Sequence, residues 1–377
     1  MTEGRSENNF DLLRLIAALM VLFGHSFDLT GTAEPLNQLN EVGWGSVGVL
    51  IFFSISGFLV ARSWDFDRHI GAFAAKRALR LLPGLIVALL LTAFVLGPIV
   101  TTLPVSAYLS DPATKSYVLN NATLQSDFTL PGVFAHTIYP VAVNGSLWTL
   151  PVEAKAYLLL AAFGVLGLLV RVRAVMLVFS VYAVLAMFPA IRLSLPLGAH
   201  YAAYLVDIQM PASTVASVSA TPSVFTPYVY FLAAFGIGAG MYQLRRWIPI
   251  LWSASAGMLL AIVLTVVVAG RFDIAPSEVM VLVLPYLVLC IAYRSHRWLR
   301  LPRWWGDYSY GIYIYAFVVQ QALSHWLSLR SGWVMFVLAT PITLALAACS
   351  WHFVERRALA LKRAFGGSTA EAHAPLS

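Results

Sequence analysis

FDLLRLIAALMVLFGHSFDLT, residues Phe10–Thr30, is a helix-length apolar run with ionisable side chains set into it. At a rise of about 1.5 Å per residue it is long enough to cross the hydrocarbon core of a bilayer. Arg14 and His25 interrupt the run and Asp11 stands at its start. An ionisable group inside a span costs free energy, so its presence marks a use. Eleven positions separate Arg14 from His25, which puts both on one helix face about 16 Å apart along the axis. Asp11 lies one turn before Arg14, at the spacing of an ion pair. One face of one helix therefore carries a cation near one membrane surface and a titratable imidazole toward the other.

Working outward, the remainder of the 377 residues is of the same kind: 60% hydrophobic, 11% charged, mean hydropathy +0.79. That composition excludes a soluble enzyme and gives one integral membrane domain, with no second compositional regime. Apolar windows predict ten helices near 11–29, 45–63, 78–99, 148–169, 174–190, 226–244, 248–269, 277–294, 308–327 and 333–354, an all-α polytopic bundle. Basic residues such as Arg62, Arg68, Lys76, Arg171, Arg245, Arg246, Arg297, Arg300, Arg356 and Arg357 fall on one side, and only Lys115, Arg192, Arg271 and Arg330 on the other. The positive-inside rule then places both termini in the cytoplasm. The net charge of +7 is thus mostly topology, and no nucleic-acid partner is expected. Residues 1–9 read as a short tail, 10–363 as the membrane domain and 364–377 as a disordered cytoplasmic tail. Cys290 and Cys349 fall inside predicted helices as small hydrophobes, and no metal site is expected.

Further polar groups recur at helix ends. Arg77 and Arg80, one turn apart at the mouth of the third span, are placed to hold phosphates or to act as positive-inside anchors. Ser54, Ser56 and Gly57 in the second span are small residues suited to close helix approach. Thr101–Gly145 is a long polar segment with no spanning run, of a length that suggests binding or disorder. The outer loop around Arg192, His200 and Asp207 offers nothing specific. Glu153 follows in NGSLWTLPVEAKAYLLL; counted inward from the end of its span, it comes out at a depth similar to His25, where a carboxylate would orient the imidazole. Tyr313, Tyr315, Gln320 and Gln321 make the ninth span unusually polar, as if lining a cavity.

Taken together, these motifs resemble acyltransferase family 3, a family of membrane-bound acyltransferases, over about Asn9 to Lys362. The resemblance rests on Arg14 and His25 with ten residues between them, the Phe52–Phe58 segment FFSISGF, Arg77 and Arg80, SLWTLPVE ending at Glu153, GDYSYGIYIY, and Val354-Glu355-Arg356. One departure is Ala316, where many relatives carry a histidine. The resemblance implies transfer of an acyl group, most often acetyl, from cytoplasmic acyl-CoA to a hydroxyl of an envelope carbohydrate or glycolipid, in a bacterial inner membrane. Arg14, Arg77 and Arg80 would meet the donor, acetyl-CoA or another acyl-CoA; His25 and Glu153 would be catalytic, with His25 as base or as acylated nucleophile; Tyr313 and Tyr315 would meet substrate. A transporter using intramembrane His, Glu and Arg is the rival reading, weakened by the absence of an internal repeat.

Overall fold

A computed structural model describes residues 8–35, 43–140, 142–167, 169, 226–272, 276–294, 301–302 and 305–362. The expected span 174–190 and the loop with Arg192, His200 and Asp207 lie outside the described residues, as do most of both expected tails. The described residues are helical, without a β-strand and with one isolated bridge between Thr101 and Val133. The helices are α1 (Phe10–Asp28), α2 (Trp44–Phe66), α3 (Ile70–Leu90), α4 (Val105–Ser110), α5 (Pro112–Ala122), α6 (Thr149–Val165), α7 (Thr226–Gln243), α8 (Trp252–Phe272), α9 (Pro276–Arg294), α10 (Ser309–Leu327) and α11 (Gly332–Ser350). Two of them continue through π turns, α3 through Leu91–Leu96 to Val100 and α11 through Trp351–Glu355 to Ala360. Among the described residues, four helices, Phe10–Asp28, Trp44–Phe66, Ile70–Val100 and Gly332–Ala360, are long and apolar enough by length and composition to cross a membrane.

α10 is the centre of the bundle: every residue from Ser309 to Ala322 is buried, the polar ones included. Its neighbours can be ranked along it as along a ruler. Asp307, just before the helix, meets Arg14 and Arg80; the Tyr310 hydroxyl donates to the Leu81 carbonyl at 2.7 Å. Near the other end, Gln320 Nε2 donates to the Leu22 carbonyl and to Ser26 Oγ of α1, at 2.8 and 2.7 Å. α1 and α10 thus run side by side in the same direction. A buried amide without such partners would cost the full loss of its solvation, which is why these side chains fix the register of the two helices.

Close helix approach is built from small residues, as expected at α2. A methyl group added at Gly57 would overlap the Phe235 carbonyl of α7, and one at Gly238 the Ser54 carbonyl of α2. On the opposite side of α2, Gly48 lies against the Ala17 carbonyl of α1. In an apolar solvent, van der Waals fit of this kind does what hydrophobic burial does in water.

The long segment between α3 and α6 is packed. Tyr108 and Tyr117 are fully buried, and the Tyr108 hydroxyl donates to the Ala93 carbonyl at 2.7 Å inside the π turn. Its last part enters the bundle beside α10. Gln321 Nε2 donates to the carbonyls of Tyr139 and Ala142 at 2.7 and 2.6 Å. Asn144 Nδ2 reaches the Ile314 carbonyl at 2.8 Å, Gly145 packs on the Phe317 ring, and Tyr313 meets Thr149 and the Ser146 carbonyl. From Gln321 to Tyr313 is a descent of about 12 Å, so α6 starts inside the bundle rather than at its surface.

Gly57→Ala and Gly238→Ala should each cost about 1–3 kcal/mol of stability through overpacking against a backbone carbonyl, seen as a lower unfolding midpoint in detergent. Gly257→Ala on α8, where an added methyl group meets open space, should leave the midpoint unchanged. Equal midpoints for all three variants would contradict the tight α2–α7 contact.

Candidate active site

Polar side chains that the sequence scatters over five helices come together in two clusters at different depths. The first is basic. Asp307 Oδ2 lies 2.7 Å from Arg80 Nη2 and 3.6 Å from Arg14 Nη1, and Asp307 Oδ1 accepts from Ser309 Oγ at 2.5 Å. Arg14 also meets Asp11, at 3.8 Å, the ion pair expected from their spacing. The Arg80 guanidinium sits 5.7 Å from the centre of the Tyr310 ring. Glu355, at the end of the π turn after α11, is buried against Gly84; its Oε1 accepts from Ser350 Oγ at 2.8 Å, and Oε2 has no hydrogen-bond partner among the described residues. Arg77 donates to Ser63 Oγ at 3.3 Å and lies over the rings of Phe73 and Tyr157. Nearby, Lys76 donates to Asp67 Oδ2 at 2.9 Å, which holds that carboxyl below the usual aspartate range.

The second cluster surrounds His25. Its Nδ1 lies 3.4 Å from Asp28 Oδ2, one turn on along α1, and its ring stands edge-on to Phe317 with centroids 5.1 Å apart. The imidazole is partly open, at 22% exposure, and Asp28 more so, at 59%. Glu34 packs beside Gly24 and accepts from the Trp44 N–H. Burial pushes the Glu34 carboxyl above its ordinary range, against the pull of the Trp44 N–H, and the neighbouring Asp28 adds to the rise.

Glu153 does not belong to this second cluster. Its Oε1 accepts from Ser56 Oγ at 3.0 Å and from the Tyr157 hydroxyl, and Tyr157 lies 3.3 Å from Ser56. Two independent registers give its depth. Along α2, Ser56 lies between Phe52, which faces Tyr313, and Phe58, which faces Phe10 at the start of α1. Along α6, Glu153 is a full turn beyond Thr149, which meets Tyr313, and eight residues beyond Gly145, which meets the same Phe317 as His25. Glu153 is therefore on the order of 15 Å from His25 along the bundle, at the depth of the arginines. The expectation of similar depths is corrected by the inward course of the chain before α6: counting from the surface assumes that the helix begins there.

Tyr313 and Tyr315, expected to meet substrate, are both buried. Tyr313 is engaged with Thr149 and Ser146, and Tyr315 with Ser350. The polarity of α10 is thus spent largely on neighbouring helices and backbone. Between the two clusters the hydroxyls and carbonyls fall in order of depth: Tyr310, Tyr157 and Ser56 low, then Tyr313, Thr149 and Ser146, then Asn144 at the Ile314 carbonyl. Asp28, Asp307 and Glu355 had been given no role from sequence. Asp28 was within reach of the same three-residue spacing that pairs Asp11 with Arg14, whereas Asp307 is 227 positions from Arg80 and no local pattern joins them.

Known proteins bear on this arrangement. Residues 7–352 match the model for the acyltransferase domain of acyltransferase family 3. A relative named O-acetyl transferase, from Shigella phage Sf6, is 29% identical over 369 residues, covering 93% of this chain and 96% of its own length. Nodulation protein 10 of Rhizobium leguminosarum bv. viciae is 30% identical over 385 residues, covering 94% of each. No solved structure matches the chain. With a family match over nearly its whole length and helices fit to cross a bilayer, the chain is a membrane acyltransferase belonging to acyltransferase family 3.

Proposed function

We propose that the protein is a multi-pass O-acetyltransferase that moves the acetyl group of cytoplasmic acetyl-CoA to a hydroxyl of an envelope carbohydrate, in a bacterial inner membrane. The observation that carries this reading is the division of one helix: α1 presents Arg14 beside Arg80 at one end and His25 beside Asp28 at the other. The name of the Shigella phage Sf6 relative supports acetyl transfer, and the basic loops support a cytoplasmic arginine end. A guanidinium has five N–H groups and one carboxylate does not use them all, so Arg14 and Arg80 can take phosphate oxygens while Asp307 keeps them aligned. Arg77 extends the same face of α3 by one turn. The pantetheine arm then lies along the hydroxyls and carbonyls between the clusters with its thioester at His25, over the distance of about 16 Å that separates Arg14 from His25 on the helix.

At the far end, Nδ1 faces Asp28 at 3.4 Å, and with the proton held there the Nε2 lone pair is left for the acceptor. The acceptor O–H gives its proton to Nε2 as its oxygen bonds to the thioester carbonyl carbon. The C–S bond breaks, the sulfur leaves with the electron pair, and the imidazolium returns a proton to it. Asp28 steadies the imidazolium formed between these events. Glu34, hydrogen-bonded to the Trp44 N–H, lies at the same end.

His25→Ala should abolish acetyl transfer at unchanged protein level. Envelope glycans from a deletion strain, and from strains restored with wild type or with the variant, would be compared by mass spectrometry and mild base release of esters. An acetyl-sized mass restored only by wild type supports the reading; ester content equal in all three strains would overturn it. Asp28→Asn should lower kcat by about tenfold or more while leaving the KM for acetyl-CoA in place, and an unchanged kcat would remove Asp28 from the proton-transfer pair.

A further inference from the structure

Glu153 is a partly exposed carboxylate inside the bundle, at the depth of the arginines and on the order of 15 Å from the His25 end. Among the described residues it makes no ion pair with a guanidinium; its neighbours are the hydroxyls of Ser56 and Tyr157, and the Tyr157 ring lies under Arg77 with its centroid 5.9 Å from the guanidinium carbon. Three helices, α2, α3 and α6, therefore bring together a pure acceptor, two hydroxyls that both donate and accept, and a cation, at one level of an otherwise apolar core. A carboxylate is kept inside a membrane protein where it faces a partner or a polar passage. Its chemistry here excludes direct contact with phosphates, which would repel it, and suits N–H and O–H donors.

Resting on the reading of acyl-CoA as donor, we propose that Glu153, Ser56 and Tyr157 form a subsite for the amide and hydroxyl groups of the donor's pantetheine arm, immediately beyond the phosphates. Glu153 accepts from the arm's N–H or O–H groups; Ser56 and Tyr157, whose own protons go to Glu153, offer further acceptor oxygens to the same groups; and Arg77 above Tyr157 marks where the arm leaves the phosphate site. The subsite discriminates a flexible amide-bearing thioester from a simple acyl thioester of the same size. It also takes Glu153 out of the proton-transfer step and makes it a residue of donor affinity.

The test separates arm from nucleotide. Binding of CoA and of pantetheine, which lacks the nucleotide and its phosphates, is measured by calorimetry on the full-length protein in nanodiscs. Glu153→Gln should weaken both ligands by the same factor, about tenfold for a lost hydrogen bond to a charged group. Ser56→Ala should weaken both in the same direction by less, and it keeps the buried charge should Glu153→Gln fold poorly. Arg77→Gln should weaken CoA and leave pantetheine unchanged. Wild-type pantetheine affinity in both Glu153→Gln and Ser56→Ala overturns the subsite while leaving the donor reading intact. A wild-type protein that binds neither ligand overturns the donor reading, and the subsite with it.

Discussion

Asp307 is the group that the bundle cannot do without. It stands between Arg80 at 2.7 Å and Arg14 at 3.6 Å and so ties the starts of α1 and α10 to α3. Taking such charges out of water costs several kcal/mol per ion, and their mutual attraction roughly returns it. The net gain in stability is small, but the constraint is strict, because any arrangement that separates them leaves a charge unpaired in an apolar medium. With α10 pinned at Asp307, and again at Gln320 and Gln321, each residue between them falls at a set depth. Tyr310 and Tyr313, with the carbonyl of Ile314, then dictate where α3, α6 and the chain before α6 can sit.

This dependence explains what was legible in the sequence. Local spacing on single helices was enough for Asp11 with Arg14 and for the shared face of Arg14 and His25, because the 3.6-residue repeat is a property of one helix. Helices coincide with nine of the ten expected spans for a related reason: length and apolarity are local. Glu153 was misplaced in depth because its helix begins inside the protein. Asn144, Gly145 and Ser146 are small or polar residues that backbone-to-backbone packing favours, and they read equally well as an ordinary turn. Tyr313, Tyr315 and the glutamines looked like cavity lining, yet a polar side chain in a bilayer serves as readily to bind the next helix. Asp307 was invisible as a partner of Arg80, and Glu355 as a neighbour of Gly84, since their meeting depends on the packing of α3, α10 and α11 together.

The two clusters also differ in their cations: among the described residues three guanidiniums, interleaved with carboxyl groups, stand in the first and none in the second. The Arg14, Arg77 and Arg80 end is rich in guanidiniums whose fork geometry matches phosphate. The His25 end holds carboxyl groups, Asp28 and Glu34, and the described chain sets no Lys or Arg against the imidazole. On the proposed reading, donor phosphates find guanidinium donors at one end and, at the other, carboxyl groups with no guanidinium in the cluster. A thioester carried on a neutral arm has no such preference and can run toward the imidazole while its phosphates stay behind. A sugar hydroxyl is uncharged and meets no barrier at the carboxylate end; carboxylates are also good acceptors for its neighbouring hydroxyls. The same reading disfavours the converse arrangement, in which phosphates would sit against Asp28 and compete with it for the imidazole. On the proposed reading, the placement of guanidiniums on α1 and α3 favours the nucleotide at the Arg14 end and the alcohol at the His25 end, before any contact specific to either is made.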